Sequence, residues 1–103
     1  MHQLVTDNLE PLRSLCAAHG VRRLELFGSA TREDFDLARS DLDFLVEFND
    51  ASPVAHADVY FGLLEALERL FGRSVDLVER KAVRNPYFLD AIERAKVVVY
   101  AAA

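Results

Sequence analysis

Two aspartates, Asp41 and Asp43, stand two positions apart at the head of an apolar run, Leu42-Asp43-Phe44-Leu45-Val46. On an extended strand, side chains two residues apart leave the same face, with their Cα atoms roughly 6.5–7 Å apart. Both carboxylates can therefore reach toward a common point. Two anions held this close repel unless something positive lies between them, and a divalent cation carrying a nucleotide's phosphates would do that. Upstream, Leu26-Phe27-Gly28-Ser29 sets a small-residue turn directly after another apolar run. Glycine lets the backbone turn sharply and approach a ligand, leaving amide hydrogens for phosphate oxygens. The Ser29 hydroxyl can donate to a terminal phosphate, and Arg32 adds a positive charge close by. A third carboxylate, Asp76, interrupts Val75-Asp76-Leu77-Val78, where Thr or Val would suit a strand better. If the two aspartate-bearing strands are neighbours, all three carboxylates face one point and make a cradle for Mg²⁺.

These residues need elements to hold them. Leu9, Leu12, Leu15 and Cys16 recur at helical spacing between Asn8 and Ala18, with Pro11 in the tolerated first turn and Gly20 just past the end. Val21 to Phe27 alternates around Leu24 and Leu26 and predicts a strand, and Gly28 to Thr31 is the turn after it. A short acidic connection, Glu33-Asp34-Phe35-Asp36, reads as a solvated surface, or else as a partner-docking element. The second strand runs from Leu42 to Phe48, with Leu42, Phe44, Val46 and Phe48 on one face and Asp41, Asp43, Leu45 and Glu47 on the other. Asn49 to Pro53 is a turn cluster. A longer amphipathic helix covers roughly Val54 to Leu70, and Gly72 follows its end. Ser74 to Glu79 predicts a third strand, with Asp76 and Val78 on one face. Pro86 opens a last helix reaching Ala95, and Val97 to Tyr100 predicts a short final strand. The order α-β-β-α-β-α-β predicts an α/β fold, a small mixed sheet with helices packed on it.

At 103 residues the chain has room for one domain, expected to span residues 1–103. A net charge of −5 argues against direct nucleic-acid binding, which needs surplus Lys and Arg, but not against a nucleotide that arrives with Mg²⁺. Neither a signal peptide nor an apolar stretch near ~20 residues is seen, so a cytoplasmic protein without membrane contact is expected. Cys16 is the only cysteine; it excludes an internal disulfide and reads as a small buried apolar residue. His2, His19 and His56 lack metal-ligand spacing and read as surface or helix-end positions. Arg80, Lys81 and Arg84 form a basic cluster that reads as a solvated loop, or else as a face toward phosphates or an acidic partner.

Gly28-Ser29 followed by Ser40-Asp41-Leu42-Asp43 resembles the signature of the DNA polymerase beta-like nucleotidyltransferase superfamily. The small size is similar to its minimal nucleotidyltransferase (MNT) members. The resemblance covers most of the chain and implies metal-binding roles for Asp41, Asp43 and Asp76, with Asp76 also the catalytic base. It implies triphosphate contacts for Gly28 and Ser29, with Arg32 and Ser40 completing the expected nucleotide-binding set. The usual pattern continues with a small residue and a glycine where this chain has Thr31 and Glu33.

The reaction so implied is nucleotidyl transfer: a hydroxyl attacks the α-phosphate of a triphosphate, here ATP, and pyrophosphate leaves. A chain this short has little surface for a private acceptor pocket, so a partner that presents a protein hydroxyl is the economical acceptor. The MNT resemblance points to a HEPN-domain RNase toxin, to its inactivation by transfer of AMP to a tyrosine, and to a hetero-oligomer of the two. One alternative is a non-catalytic antitoxin that neutralises the toxin by binding alone; another is nucleotidyl transfer to a small molecule.

Overall fold

The structure, a computed structural model, describes residues 1–32, 36, 41–49 and 53–102, the last span without the side chains of residues 53 and 54. Ser40, residues 33–35 of the acidic connection and the middle of the turn cluster lie outside the described residues. Two helices, α1 (Gln3–Thr6) and α2 (Leu9–Ala18), lead into β1 (Val21–Phe27). A 3₁₀ turn over Gly28–Thr31 precedes β2 (Leu42–Phe48), α3 (Pro53–Phe71), β3 (Val75–Glu79), α4 (Pro86–Ala95) and β4 (Val97–Ala101). The four strands form one mixed sheet in the order β3-β2-β1-β4. β1 is antiparallel to β2 and β4, whereas β2 and β3 are parallel and joined by α3.

Strand alternation divides the apolar residues between two layers. Leu24 and Leu26 of β1, Leu42, Phe44 and Val46 of β2, and Val75 and Leu77 of β3 point into the main core. Leu12 and Cys16 of α2, with Leu63, Leu67 and Phe71 of α3, close that core. The four-residue spacing of the three α3 side chains puts them on one stripe, as the periodicity predicts. Burial of each such leucine removes apolar surface worth ~1.5–3 kcal/mol. On the other face, Phe27, Leu45 and Val78 meet Ile92 of α4 and Val83. This second layer carries Asp43 as well, because Asp43 and Leu45 share a face.

Helix α1 is the element that periodicity misses, since four residues show no repeat. Its cap is His2, whose ring Nδ1 accepts from the Leu4 amide at 3.0 Å. The His2 backbone N–H donates to Ala30 at 2.9 Å, so the start of the chain ties down the 3₁₀ turn. Burial pushes the Cys16 thiol up to about 12. Cys16 is therefore expected to resist thiol reagents in the native protein and to react once the chain unfolds, which mass spectrometry after brief alkylation would show.

A second surprise is Glu25, 1% exposed in the middle of β1. Lys96 Nζ lies 2.8 Å from it, Arg23 Nε 3.5 Å and Arg80 Nη1 3.6 Å. Arg80 also reaches Glu47 at 3.4 Å and Glu93 at 3.1 Å. The basic residue Arg80 is therefore an internal counter-charge linking β1, β2 and α4, not a solvated loop residue. A buried carboxylate requires such partners. Lys81 and Arg84 remain exposed.

Candidate active site

The site is built at one end of the α4 face of the sheet. β2 and β3 pair in the register Asp43↔Asp76, so the two aspartates are direct neighbours on adjacent parallel strands. Their side chains leave the same face, and strand spacing holds the backbones roughly 4.8 Å apart. Across β2, Asp43 is also the register partner of Phe27, the last residue of β1. Asp41 precedes β2 by one residue and is exposed, as is Asp76, whereas Asp43 is half-buried.

Gly28 fixes how Asp43 sits. It has φ +74°, and a Cβ placed on it would come within 2.3 Å of Asp43 Oδ2. The carboxylate thus lies directly over the glycine backbone, where any side chain would displace it. The turn is closed by Thr31, whose Oγ1 donates to the Gly28 carbonyl at 2.7 Å. The departure from a small residue at this position therefore stabilises the turn. Among the described residues the half-buried Ser29 hydroxyl has no hydrogen-bond partner and is available to a ligand. Arg32, at the end of the turn, is exposed.

The electrostatics are those of crowded anions. Burial, then the charges of Asp76 and Asp41, push the Asp43 carboxyl up from 3.8 to about 6. Asp41 and Asp76 are therefore close enough to act on Asp43. As the side chains stand, no three His, Cys, Asp or Glu groups among the described residues are gathered closely enough to hold a metal ion. Asp43 and Asp76 share a face of the sheet and Asp41 lies close enough to act on Asp43, but the three do not form a closed shell. Their hard oxygen donors fit Mg²⁺, and the repulsion on Asp43 is what a divalent cation would relieve. Behind β3, the Tyr60 hydroxyl of α3 donates to the Leu77 carbonyl at 2.6 Å, steadying the residue next to Asp76.

Concave space alone points elsewhere. A cavity of about 450 Å³, lined by Phe48, His56, Glu79 and Arg80 among others, opens at the opposite ends of β2 and β3. Three of its polar groups are already paired: His56 Nε2 lies 2.8 Å from Glu79, and Arg80 belongs to the Glu25 network. This also places His56 half-buried beside a carboxylate rather than on open surface. The crowded carboxylates over Gly28 carry the stronger chemical argument.

Residues 10–99 match the family model of the nucleotidyltransferase domain. The chain belongs to that family. A Methanocaldococcus jannaschii protein named as a candidate protein adenylyltransferase is 35% identical over 79 residues, 77% of each chain. The solved structure of a candidate minimal nucleotidyltransferase superposes with a TM-score of 0.75 at 32% identity, covering 94% of this chain and 95% of the other. A complex of a tri-AMPylated Shewanella oneidensis HEPN toxin with its MNT antitoxin contains a chain with TM-score 0.59 at 18% identity, covering 94% and 72%. That last likeness is one of fold. The nucleotidyltransferase described here thus has the mixed α/β architecture that its strand pattern predicts, and among the described residues no helix is long and apolar enough to cross a membrane.

Proposed function

We propose that this chain is the antitoxin of a HEPN/MNT toxin–antitoxin pair in the cytoplasm, and that it transfers AMP from ATP to a tyrosine hydroxyl of its cognate HEPN toxin. The observation that carries the chemistry is the Asp43–Asp76 register pair with the Asp43 carboxylate seated over Gly28. In this reading Asp41, Asp43 and Asp76 hold Mg²⁺, which supplies charge neutralisation at the phosphates when bound. The Gly28–Thr31 turn receives the triphosphate. Ser29 donates its uncommitted hydroxyl there, and Arg32 and Ser40 add contacts. Asp76 is exposed on the edge strand, where an incoming hydroxyl can reach it, and it takes the proton as that oxygen attacks the α-phosphorus. The named roles of the relatives, protein adenylyl transfer and MNT antitoxin bound to an AMPylated HEPN toxin, support a protein acceptor.

The test is direct. Purified chain with ATP, Mg²⁺ and the toxin encoded beside it is expected to place AMP on a toxin tyrosine, read by peptide mass spectrometry. Asp76→Asn is expected to lose on the order of 10³-fold in rate or more, since groups acting as a unit fail singly. Absence of AMP on the toxin with folded wild-type protein would overturn the enzymatic reading. If Asp43→Asn still protects cells carrying the toxin, neutralisation is by binding alone.

A further inference from the structure

The chain has three tyrosines, and their surroundings differ sharply. Tyr60 is half-buried with its hydroxyl committed to the Leu77 carbonyl, and half-buried Tyr100 packs against the main core. Tyr87 is 85% exposed, and among the described residues its hydroxyl has no partner. It stands in the first turn of α4, where Asn85 Oδ1 accepts from the Tyr87 amide at 2.9 Å and Pro86 fixes the entry. The cap and the proline fix the backbone from which the Tyr87 side chain projects into solvent.

Its position is what matters. α4 lies on the face of the sheet that carries Asp43 and Asp76 and approaches the Gly28–Thr31 turn. The next residue, Phe88, sets its ring edge-on to Phe27 with centroids 5.9 Å apart, and Phe27 is the register partner of Asp43. An aromatic of this size normally buries most of its area, yet Phe88 beside it is still 40% exposed. The helix that carries this free phenol therefore begins on the face of the sheet that bears the carboxylates, one residue before the Phe88–Phe27 contact at their end of it.

We infer that Tyr87 is itself an adenylyl acceptor: this protein modifies its own chain at the rim of its active site. The inference rests on the nucleotidyl-transfer reading above. The Tyr87 phenol oxygen attacks the α-phosphorus of ATP and forms a P–O bond. The bond from that phosphorus to the oxygen bridging it to the β-phosphorus breaks, pyrophosphate leaves with the electron pair, and the phenol proton passes to Asp76. No oxidant or further reactant is needed. The product is a phosphodiester that sets an AMP group against the site a partner's tyrosine would have to enter.

The segment from Asn85 to Arg94 contains no hydroxyl other than that of Tyr87, so cleavage after arginine isolates the acceptor on one peptide. Full-length protein, as purified or after incubation with ATP and Mg²⁺, is expected to carry one adenylyl group on that peptide. Tyr87→Phe and Asp43→Asn are each expected to lack it, with melting of Tyr87→Phe unchanged because only one exposed oxygen is removed. Calorimetric titration with Mg²⁺ and a non-hydrolysable ATP analogue separates nucleotide binding from transfer. If wild type binds the analogue and Tyr87 stays unmodified, the self-acceptor inference is overturned while the nucleotidyl-transfer reading stands. If wild type does not bind it, both fall. Label on Tyr87 that persists in Asp43→Asn also overturns the inference, because the site would not have placed it there.

Discussion

Gly28→Ala is expected to lower AMP transfer by about 10²-fold or more, a loss set by position and not by chemistry. Two separate effects act at this residue. Its backbone has φ +74°, a conformation that costs a residue with a Cβ about 1–2 kcal/mol. Its Cβ would also fall 2.3 Å from Asp43 Oδ2, a distance no real contact tolerates. The carboxylate must therefore swing away, or the 3₁₀ turn must shift and carry Ser29 with it. Gly72→Ala supplies the control, because Gly72 has φ +64° and the Cβ of an alanine there would meet nothing within 4 Å. That variant is expected to lose stability alone, with kcat/KM for transfer retained. Equal losses of transfer in both variants would mean that Gly28 acts through the backbone only, and that the seat of Asp43 over it has no part in the chemistry.

This pair of residues shows how far the sequence could be read. Small residues after β1 and paired carboxylates at the head of β2 are a local pattern, and both were legible. The register Asp43↔Asp76 was not, because no local signal states which strands are neighbours or how they slide. The contact between Gly28 and Asp43 is likewise a product of β1–β2 pairing. A mid-strand carboxylate is also ambiguous in one dimension. Asp76 and Glu25 interrupt their strands in the same way, yet Asp76 is exposed at the site while Glu25 is buried among Lys96, Arg23 and Arg80. Only the partners tell them apart: Glu25 is matched by cations, and Asp76 faces further anions. Within the basic cluster past β3 only Arg80 was misleading, for the same reason, since its counter-charge comes mainly from other elements, whereas Lys81 and Arg84 are exposed as expected. Tyr87 carried no signal at all beyond following Asn85-Pro86, because exposure near a site depends on how α4 crosses the sheet.

Crowded anions without a cation make the metal-free protein less stable than its fold allows, and Asp43→Asn is expected to expose that. In the folded chain the Asp43 carboxyl is raised from 3.8 to about 6 by burial and by Asp76 and Asp41. The folded state thus holds this proton more tightly than the unfolded state does. Stability from this group is fully present below about pH 4 and is lost as pH rises through about 6. Above that range the ionised group is a constant burden. Asn at this position keeps the shape and removes the charge. In chelator at pH 7.5 the variant is expected to melt above wild type, and the gap is expected to close near pH 4. Mg²⁺ should raise the wild-type melting temperature at pH 7.5, much less at pH 5, and should leave Asp43→Asn almost unmoved, because a cation gains most where the carboxylates are ionised. Transfer by the same variant is expected to fall on the order of 10³-fold or more. A gain in stability together with a loss of activity is the mark of a residue kept for function at the expense of the fold. If the variant instead melts below wild type at pH 7.5 in chelator, Asp43 is a structural hydrogen-bonding group, and the carboxylates lose their claim to a metal.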